Sequence, residues 1–354
     1  MYWNSRNGRL LGVATFPLSS ACIPCGVKYR NPIIKCSRYR RVNPALTQQI
    51  LRLSSFAMEK KSAPMPKLLY GTAWKKDATA DLVFLALKTG FRGIDTAAQP
   101  RHYREDLVGA AVKQAISSNI VKRDDLFVQT KFTSVDGQDP NNLPYDLNAP
   151  LEEQVHSSVA SSLNNFRYSD SESDEPYIDS LVLHSPLRTL AETAIVWETL
   201  ETYVPHKIRQ LGISNAPLEV VDYLNTNPDI IVRPACVQNR FYPATHWEVD
   251  LRAYCREMGI VFQAFWTLSG NPQLLMSTNV HTLATKANVE LPVALYALVL
   301  GLGGTSILDG TTNEAHMKSD LEGIDTVSAY ARSKDGQHVW SECLCNFKKQ
   351  IGEK

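Results

Sequence analysis

The chain has 354 residues, 44% hydrophobic and 21% charged, with a formal net charge of +1, the profile of an ordinary globular protein and not of a collagenous, disordered or disulfide-scaffold chain. Its longest apolar run, residues 291–304, is shorter than the ~20 residues that cross a bilayer, so no membrane segment is expected; seven cysteines, few and odd in number, argue for a reducing compartment. The near-neutral total hides two unlike parts: residues 1–57 hold nine Lys or Arg and no acid, which leaves residues 58–354 at −8, a charge that repels a nucleic-acid backbone.

The acid-free, Arg-rich and Ser-containing composition of residues 1–57 is that of an organelle transit peptide, here a mitochondrial presequence. Its apolar residues 10–18 behind Arg6 and Arg9 also imitate a secretory signal, which the few cysteines of the body argue against. Met58 opens Met-Glu-Lys-Lys, a start in its own right, so the leader also reads as a disordered tail or an artefact of start-site choice. The body is then expected in the cytoplasm, or in mitochondria if the presequence is genuine. Cys22-Ile-Pro-Cys25 has redox-motif spacing without a second pair or a flanking strand–helix unit, and is read as coincidence.

From Pro66 onward short β-branched or apolar runs alternate with helical patterns. Strands are predicted at residues 67–70, 92–96, 126–131, 178–184, 208–213, 235–238, 261–265 and 305–308, and helices at 79–88, 104–117, 152–165, 190–203, 218–224, 247–258 and 291–300. Eight strands with intervening helices indicate a parallel sheet covered on both faces. At this length the α/β class resolves best into a single-domain (β/α)8 TIM barrel over residues 58–354 with a C-terminal tail; a doubly wound open sheet is the alternative. Residues 137–150, rich in Asn, Asp and Pro, follow a strand end and border the expected active-site face, whereas the acidic stretch 169–176 reads as a solvated loop.

Four predicted strand ends carry polar or titratable side chains: Asp95, Lys131, His184 and, just past its strand, Asn215. Tyr103 lies in the loop after Asp95. Each alone has a structural reading, an Asp capping a helix, a surface Lys or Tyr, a His satisfied by a carbonyl. Together they fall on the rim where barrel enzymes hold their catalytic groups.

These residues carry a resemblance to the aldo-keto reductases over about residues 67–321, in Gly71-Thr-Ala-Trp74, Gly93-Ile-Asp-Thr-Ala97 with Tyr103 and Val108-Gly109, Thr130-Lys131, Leu183-His-Ser-Pro186, Ile208 to Asn215, Val237 to Pro243 and Gly310 to Leu321. The resemblance implies NAD(P)H-dependent reduction of an aldehyde or ketone, with Asp95, Tyr103, Lys131 and His184 as the catalytic four. It places Ser214, Asn215 and Gln238 on the nicotinamide carboxamide, Phe265 against its ring, Ser269 and Gly270 at the pyrophosphate, and Gly310, Thr311, His316 and Asp320 at the adenosine end. Trp74 and Trp266 would wall the substrate pocket. A small carbonyl compound is the implied partner, and a monomer the implied state.

Those residue types suit the chemistry. An alkoxide formed by hydride addition must be protonated as it appears, and a positioned phenol can do so. A free tyrosine, with a pKa near 10, is a weak acid for this; the ammonium of Lys131 is expected to lower it, with Asp95 holding that ammonium charged and His184 bonding the carbonyl oxygen. Two departures from the family pattern stand out. Eight positions separate Asp95 from Tyr103 where five are common, in a longer Asp-Thr-Ala…His-Tyr loop. NADP(H) is the cofactor the resemblance implies, but the adenosine end reads Gly310 and His316 where Lys and Arg are common, which leaves NAD(H) open. A Rossmann fingerprint is missing, since Gly301-Leu-Gly-Gly304 comes late and after a helix, and the histidines show no metal-ligand spacing. The alternative function is a cofactor-binding regulatory or scaffold subunit without turnover.

Overall fold

Eight short parallel strands close on themselves in chain order in the computed structural model, which describes residues 63–169 and 175–353. They are β1 Leu68–Gly71, β2 Gly93–Asp95, β3 Phe127–Phe132, β4 Ile178–Leu183, β5 Ile208–Ser214, β6 Cys236–Arg240, β7 Val261–Phe265 and β8 Thr305–Asp309. Closure is made by β8 pairing back onto β1, with Leu68 beside Ile307 and Tyr70 beside Asp309, which settles the choice between barrel and open sheet. The leader readings, the Cys22 to Cys25 spacing and residues 170–174 of the acidic stretch lie outside the described residues.

The helices are α1 Thr79–Thr89, α2 Glu105–Ser117, α3 Leu151–Asn165, α4 Leu190–Glu201, α5 Leu218–Thr226, α6 Val249–Met258, α7 Pro272–Leu275, α8 Thr278–Ala287, α9 Leu291–Gly301, α10 Glu314–Arg332 and α11 Gly336–Gln350. The apolar run at 291–304 forms the buried helix α9, with Val293 to Val299 all removed from solvent. Among the described residues no single helix is long and apolar enough to cross a membrane.

Four helices go beyond the predicted set. Helix α8 buries Val280, Leu283, Ala284 and Ala287, a helical period that is legible in the sequence; α7 is a single turn begun by Pro272. Helix α10 starts at Asn313, whose Oδ1 accepts from the backbone N–H of Ala315 and His316, and α11 packs on α8 and α10. The helix predicted from residue 247 begins instead at Val249, because His246, Trp247 and Glu248 all take left-handed backbone angles.

Strands β3 and β4 are buried at every position, as strands covered on both faces must be. Helix–helix contact sets one further constraint. Gly109 on α2 abuts the last residue of α3, so that a Cβ there would overlap the Asn165 carbonyl. We expect Gly109→Ala to destabilise the fold by about 1–3 kcal/mol, the usual cost of overpacking, as measured by urea unfolding; an unchanged midpoint would contradict this packing.

Candidate active site

The C-terminal ends of β2, β3 and β4 bring the expected catalytic four together. Lys131 Nζ lies 2.6 Å from Asp95 Oδ2, with both side chains buried, and also donates to the Thr96 carbonyl at 2.8 Å. The Lys131 ammonium is 5.1 Å from the Tyr103 ring centre, near enough for its charge to act on the Tyr103 hydroxyl. The rings of Tyr103 and His184 meet edge to face, 6.0 Å between centres.

The longer Asp95 to Tyr103 loop reaches the site because it is fastened to the next strand and loop. Ala98 donates its N–H to the Lys131 carbonyl at 3.1 Å, Gln138 Nε2 donates to the Ala98 carbonyl at 2.8 Å, and Gln99 Nε2 donates to the Gly137 carbonyl at 2.5 Å. A turn then follows in which the Tyr103 N–H returns to the Gln99 carbonyl. The Asn- and Asp-rich stretch after β3 therefore does border the site.

Electrostatics correct one expectation. Lys131 does favour the Tyr103 phenolate, but burial opposes it more strongly and Asp95 adds to the opposition, so Tyr103 titrates above its ordinary range. The physical reason is that Lys131 shares its charge with Asp95 while the phenolate loses its water. Burial also disfavours the charged form of Lys131, yet Asp95 and Tyr103 outweigh it and hold the ammonium protonated. Burial, then Lys131 and His102, push His184 down to about 3, which keeps the imidazole neutral. Thr133 Oγ1 is 2.6 Å from His184 Nδ1; when that hydroxyl donates, the ring proton sits on Nε2.

The residues expected on the nicotinamide line the ends of β5 to β7. Ser214 Oγ donates to the Gln238 carbonyl at 2.7 Å. Asn215, in a left-handed conformation with φ 51°, donates from Nδ2 to the His184 carbonyl at 2.9 Å. Its Oδ1 accepts from Arg240 Nη1 at 2.7 Å, and that guanidinium lies over Phe265 and Trp266 at 5.3 and 4.9 Å. Gln238 turns its amide nitrogen inward to Asp95 Oδ1 at 3.1 Å. Trp74 and Trp266 are exposed on the rim, both with left-handed angles. Ser269 and Gly270 form a tight turn after β7, closed by the Gly270 N–H on the Trp266 carbonyl.

At the end of β8 the arrangement is acidic. Asp309 and Asp320 are buried, the Oδ2 of each without a hydrogen-bond partner among the described residues, and burial with the Asp309 charge raises Asp320 to about 9. Asp320 is thus turned toward Asp309. Thr311 caps the turn, its N–H on Asp309 Oδ1 and its carbonyl accepting from the Tyr70 hydroxyl. His316 stands in the first turn of α10 and Gly310 faces open space.

Several neighbours of this site escaped the sequence reading: Thr133, Arg240, Lys75, Gln129 and Gln263. Lys75 donates from Nζ to the Gly310 carbonyl at 2.9 Å, and burial, partly offset by Asp309, lowers it to about 8. A signal existed for some of them. Gln129, Lys131 and Thr133 alternate along one strand face, as do Gln238 and Arg240, so one inward residue on each strand points to the others.

The profile of the Aldo/keto reductase family matches residues 67–334, and the chain belongs to that family, whose members are oxidoreductases acting on CH–OH groups by NAD(P)H-dependent chemistry. An uncharacterized oxidoreductase of Schizosaccharomyces pombe is 26% identical over 73% of this chain and 82% of its own length. The NAD(P)H-dependent D-xylose reductase of Scheffersomyces stipitis is 27% identical over 61% of this chain and 67% of its own, and prostaglandin F synthase 1 of Bos taurus 23% over 71% and 79%. The crystal structure of MGS-M4, an aldo-keto reductase enzyme from a Medee basin deep-sea metagenome library, has the same fold, with a TM-score of 0.58 at 21% identity over 75% of this chain and 91% of that one.

The acid pair has a consequence for stability. Because Asp320 binds its proton more tightly folded than unfolded, the folded state holds the extra proton between pH ~4 and about 9, and stability falls as pH rises through that window. Asp320→Asn should flatten this decline and stabilise the protein by about 1–3 kcal/mol at pH 8, the cost of an ill-satisfied buried group, in denaturant titrations across that range. A decline as steep as in the parent would refute the assignment.

Proposed function

With membership of the aldo/keto reductase family as the premise, we propose that this chain reduces an aldehyde or ketone to the alcohol, with Tyr103 as the proton donor and Asp95, Lys131 and His184 as its catalytic partners. The observation that carries this reading is the buried Asp95–Lys131 pair beside the Tyr103 hydroxyl, with neutral His184 across from it.

The nicotinamide end of the cofactor fits the residues present. Among the described residues no donor reaches Gln238 Oε1, whose amide nitrogen is fully committed inward, so that oxygen is suited to accept an amide N–H. Ser214 and Asn215 stand on the adjoining strand end, and Phe265 supplies a ring on the next. When bound, the nicotinamide supplies a hydride to the carbonyl carbon. His184 donates from Nε2 to the substrate oxygen and holds it near Tyr103. The Tyr103 hydroxyl releases its proton to that oxygen, and Lys131, kept charged by Asp95, stabilises the phenolate left behind. Trp74 and Trp266 cover the substrate from the rim.

The adenosine end fits a 2′-phosphate poorly. Gly310 and His316 stand where the family commonly places cations, and the neighbouring acid pair, Asp309 with a protonated Asp320, supplies no cation in their place. Each charge-assisted hydrogen bond forgone is worth ~1.5–3 kcal/mol. We therefore assign the chain weak discrimination between the two cofactors, with NADH used at least as well as NADPH.

Two measurements test these assignments. Tyr103→Phe is expected to abolish aldehyde-dependent cofactor oxidation while nucleotide binding, followed by fluorescence quenching, persists; turnover at the parent rate would reject Tyr103 as the donor. Steady-state oxidation of both cofactors against an aldehyde panel should give a kcat/KM ratio that does not favour NADPH. Tight nucleotide binding without turnover of any aldehyde would instead indicate a regulatory or scaffold subunit.

A further inference from the structure

Beneath the catalytic pair, three glutamines from β3, β6 and β7 meet inside the barrel. Gln129 Nε2 donates to Asp95 Oδ1 at 2.8 Å and to Gln263 Oε1 at 2.8 Å. Gln238 Nε2 donates to the same two oxygens, at 3.1 and 2.8 Å. Gln263 Nε2 donates to Gln129 Oε1 at 2.9 Å and to Met65 Sδ at 3.3 Å, and Cys236 Sγ approaches Gln129 Oε1 at 3.9 Å. All three side chains are buried.

The six amide hydrogens are thereby all committed, and the orientation of each amide is forced. Turning over either Gln129 or Gln238 would aim an amide oxygen at the Asp95 carboxylate and remove a donor from it. Gln263 accepts from both and so locks the pair in register. Asp95 consequently receives two amide N–H groups on Oδ1 and the Lys131 ammonium on Oδ2, with its plane fixed from both sides.

We propose that Gln129, Gln238 and Gln263 form a positioning network that holds Asp95 and, through it, sets how strongly Lys131 supports the Tyr103 phenolate. This rests on the reading of Tyr103 as the proton donor. The other titratable groups are Cys236 on β6, which reaches Gln129 and lies near Asp95, and, on the Tyr103 side, His184 with His102 acting on it. When Asp95 loses a donor, as without Gln129, or its donors lose the Gln263 oxygen that holds them in register, Asp95 draws Lys131 closer and more of its negative charge is felt at Tyr103, so the phenol keeps its proton to higher pH.

The test uses Gln129→Met and Gln263→Met, each also combined with Tyr103→Phe. Tyrosinate absorbance is titrated against pH, and the difference between each chain and its Tyr103→Phe counterpart isolates Tyr103 without requiring turnover. The inference expects that difference titration, and the basic limb of the kcat profile for aldehyde reduction, to move upward by about half a pH unit or more in either variant, with kcat falling about ten-fold or more. Melting temperature identifies a variant that fails to fold, in which case the other decides. A Tyr103 titration unchanged or displaced downward in a folded variant would overturn the proposal. If the parent reduces no aldehyde while the titration still moves upward, the reductase reading fails and the positioning network stands.

Discussion

The site depends on one buried ion pair. Lys131 and Asp95 lie on adjacent strands with side chains withdrawn from water, and a pair in that setting is sustained only when geometry and extra hydrogen bonds replace lost hydration. Here the Thr96 carbonyl takes a second hydrogen of Lys131, and the glutamine amides complete Asp95. Removing one partner from such a pair characteristically costs about 3–5 kcal/mol, so the groups around this pair also tie three strands and the barrel interior together.

Much of the barrel was legible because its strands are short apolar runs set between periodic helices. All eight strands fall within a residue or two of the predicted positions, and Asp95, Tyr103, Lys131 and His184 lie on neighbouring strand ends or the loop above one. What escaped has physical causes. Helix α11 buries only Gly336, Cys343 and Phe347, too sparse a stripe to announce itself. The turn before α6 depends on three non-glycine residues in left-handed conformations, for which composition carries no signal. The glutamine trio was hidden for a different reason: Gln129, Gln238 and Gln263 are far apart in sequence, and only closure of β8 on β1 makes them face one another. The net direction of the Tyr103 shift was missed because spacing reveals a neighbouring charge but not how much water the fold removes.

Left-handed residues also explain how the barrel carries its aromatic rim. Trp74, Asn215 and Trp266 each take positive φ close after a strand end, a conformation uncommon for non-glycine residues and an outlier for bulky ones. Such a residue turns the backbone sharply, so its side chain stands at the mouth instead of continuing the strand's alternation. The Trp74 N–H is held by the His102 carbonyl at 2.8 Å, and Asn271 Nδ2 holds the carbonyls of Phe241, Trp266 and Thr267. The strain in these turns is therefore met by hydrogen bonds from the next layer of residues.

That layer extends to the end of the described chain. Trp247 Nε1 donates to Asn271 Oδ1 at 2.8 Å, and the Trp247 carbonyl accepts from Arg252 Nε at 2.8 Å. Arg252 is buried and paired with Glu353 at 2.6 Å, while Arg256 reaches the other oxygen of that carboxylate at 3.1 Å. A continuous set of polar contacts thus leads from Glu353 through α6 to the turn that carries Trp266. The barrel fixes Asp95 and Lys131 from within, through side chains that cross its interior, whereas the aromatic rim over β7 is fixed from outside by a carboxylate remote from the reacting groups. The two halves of the site are therefore held by separate supports, and changes to the outer one can reshape the tryptophan rim without disturbing the ion pair beneath it.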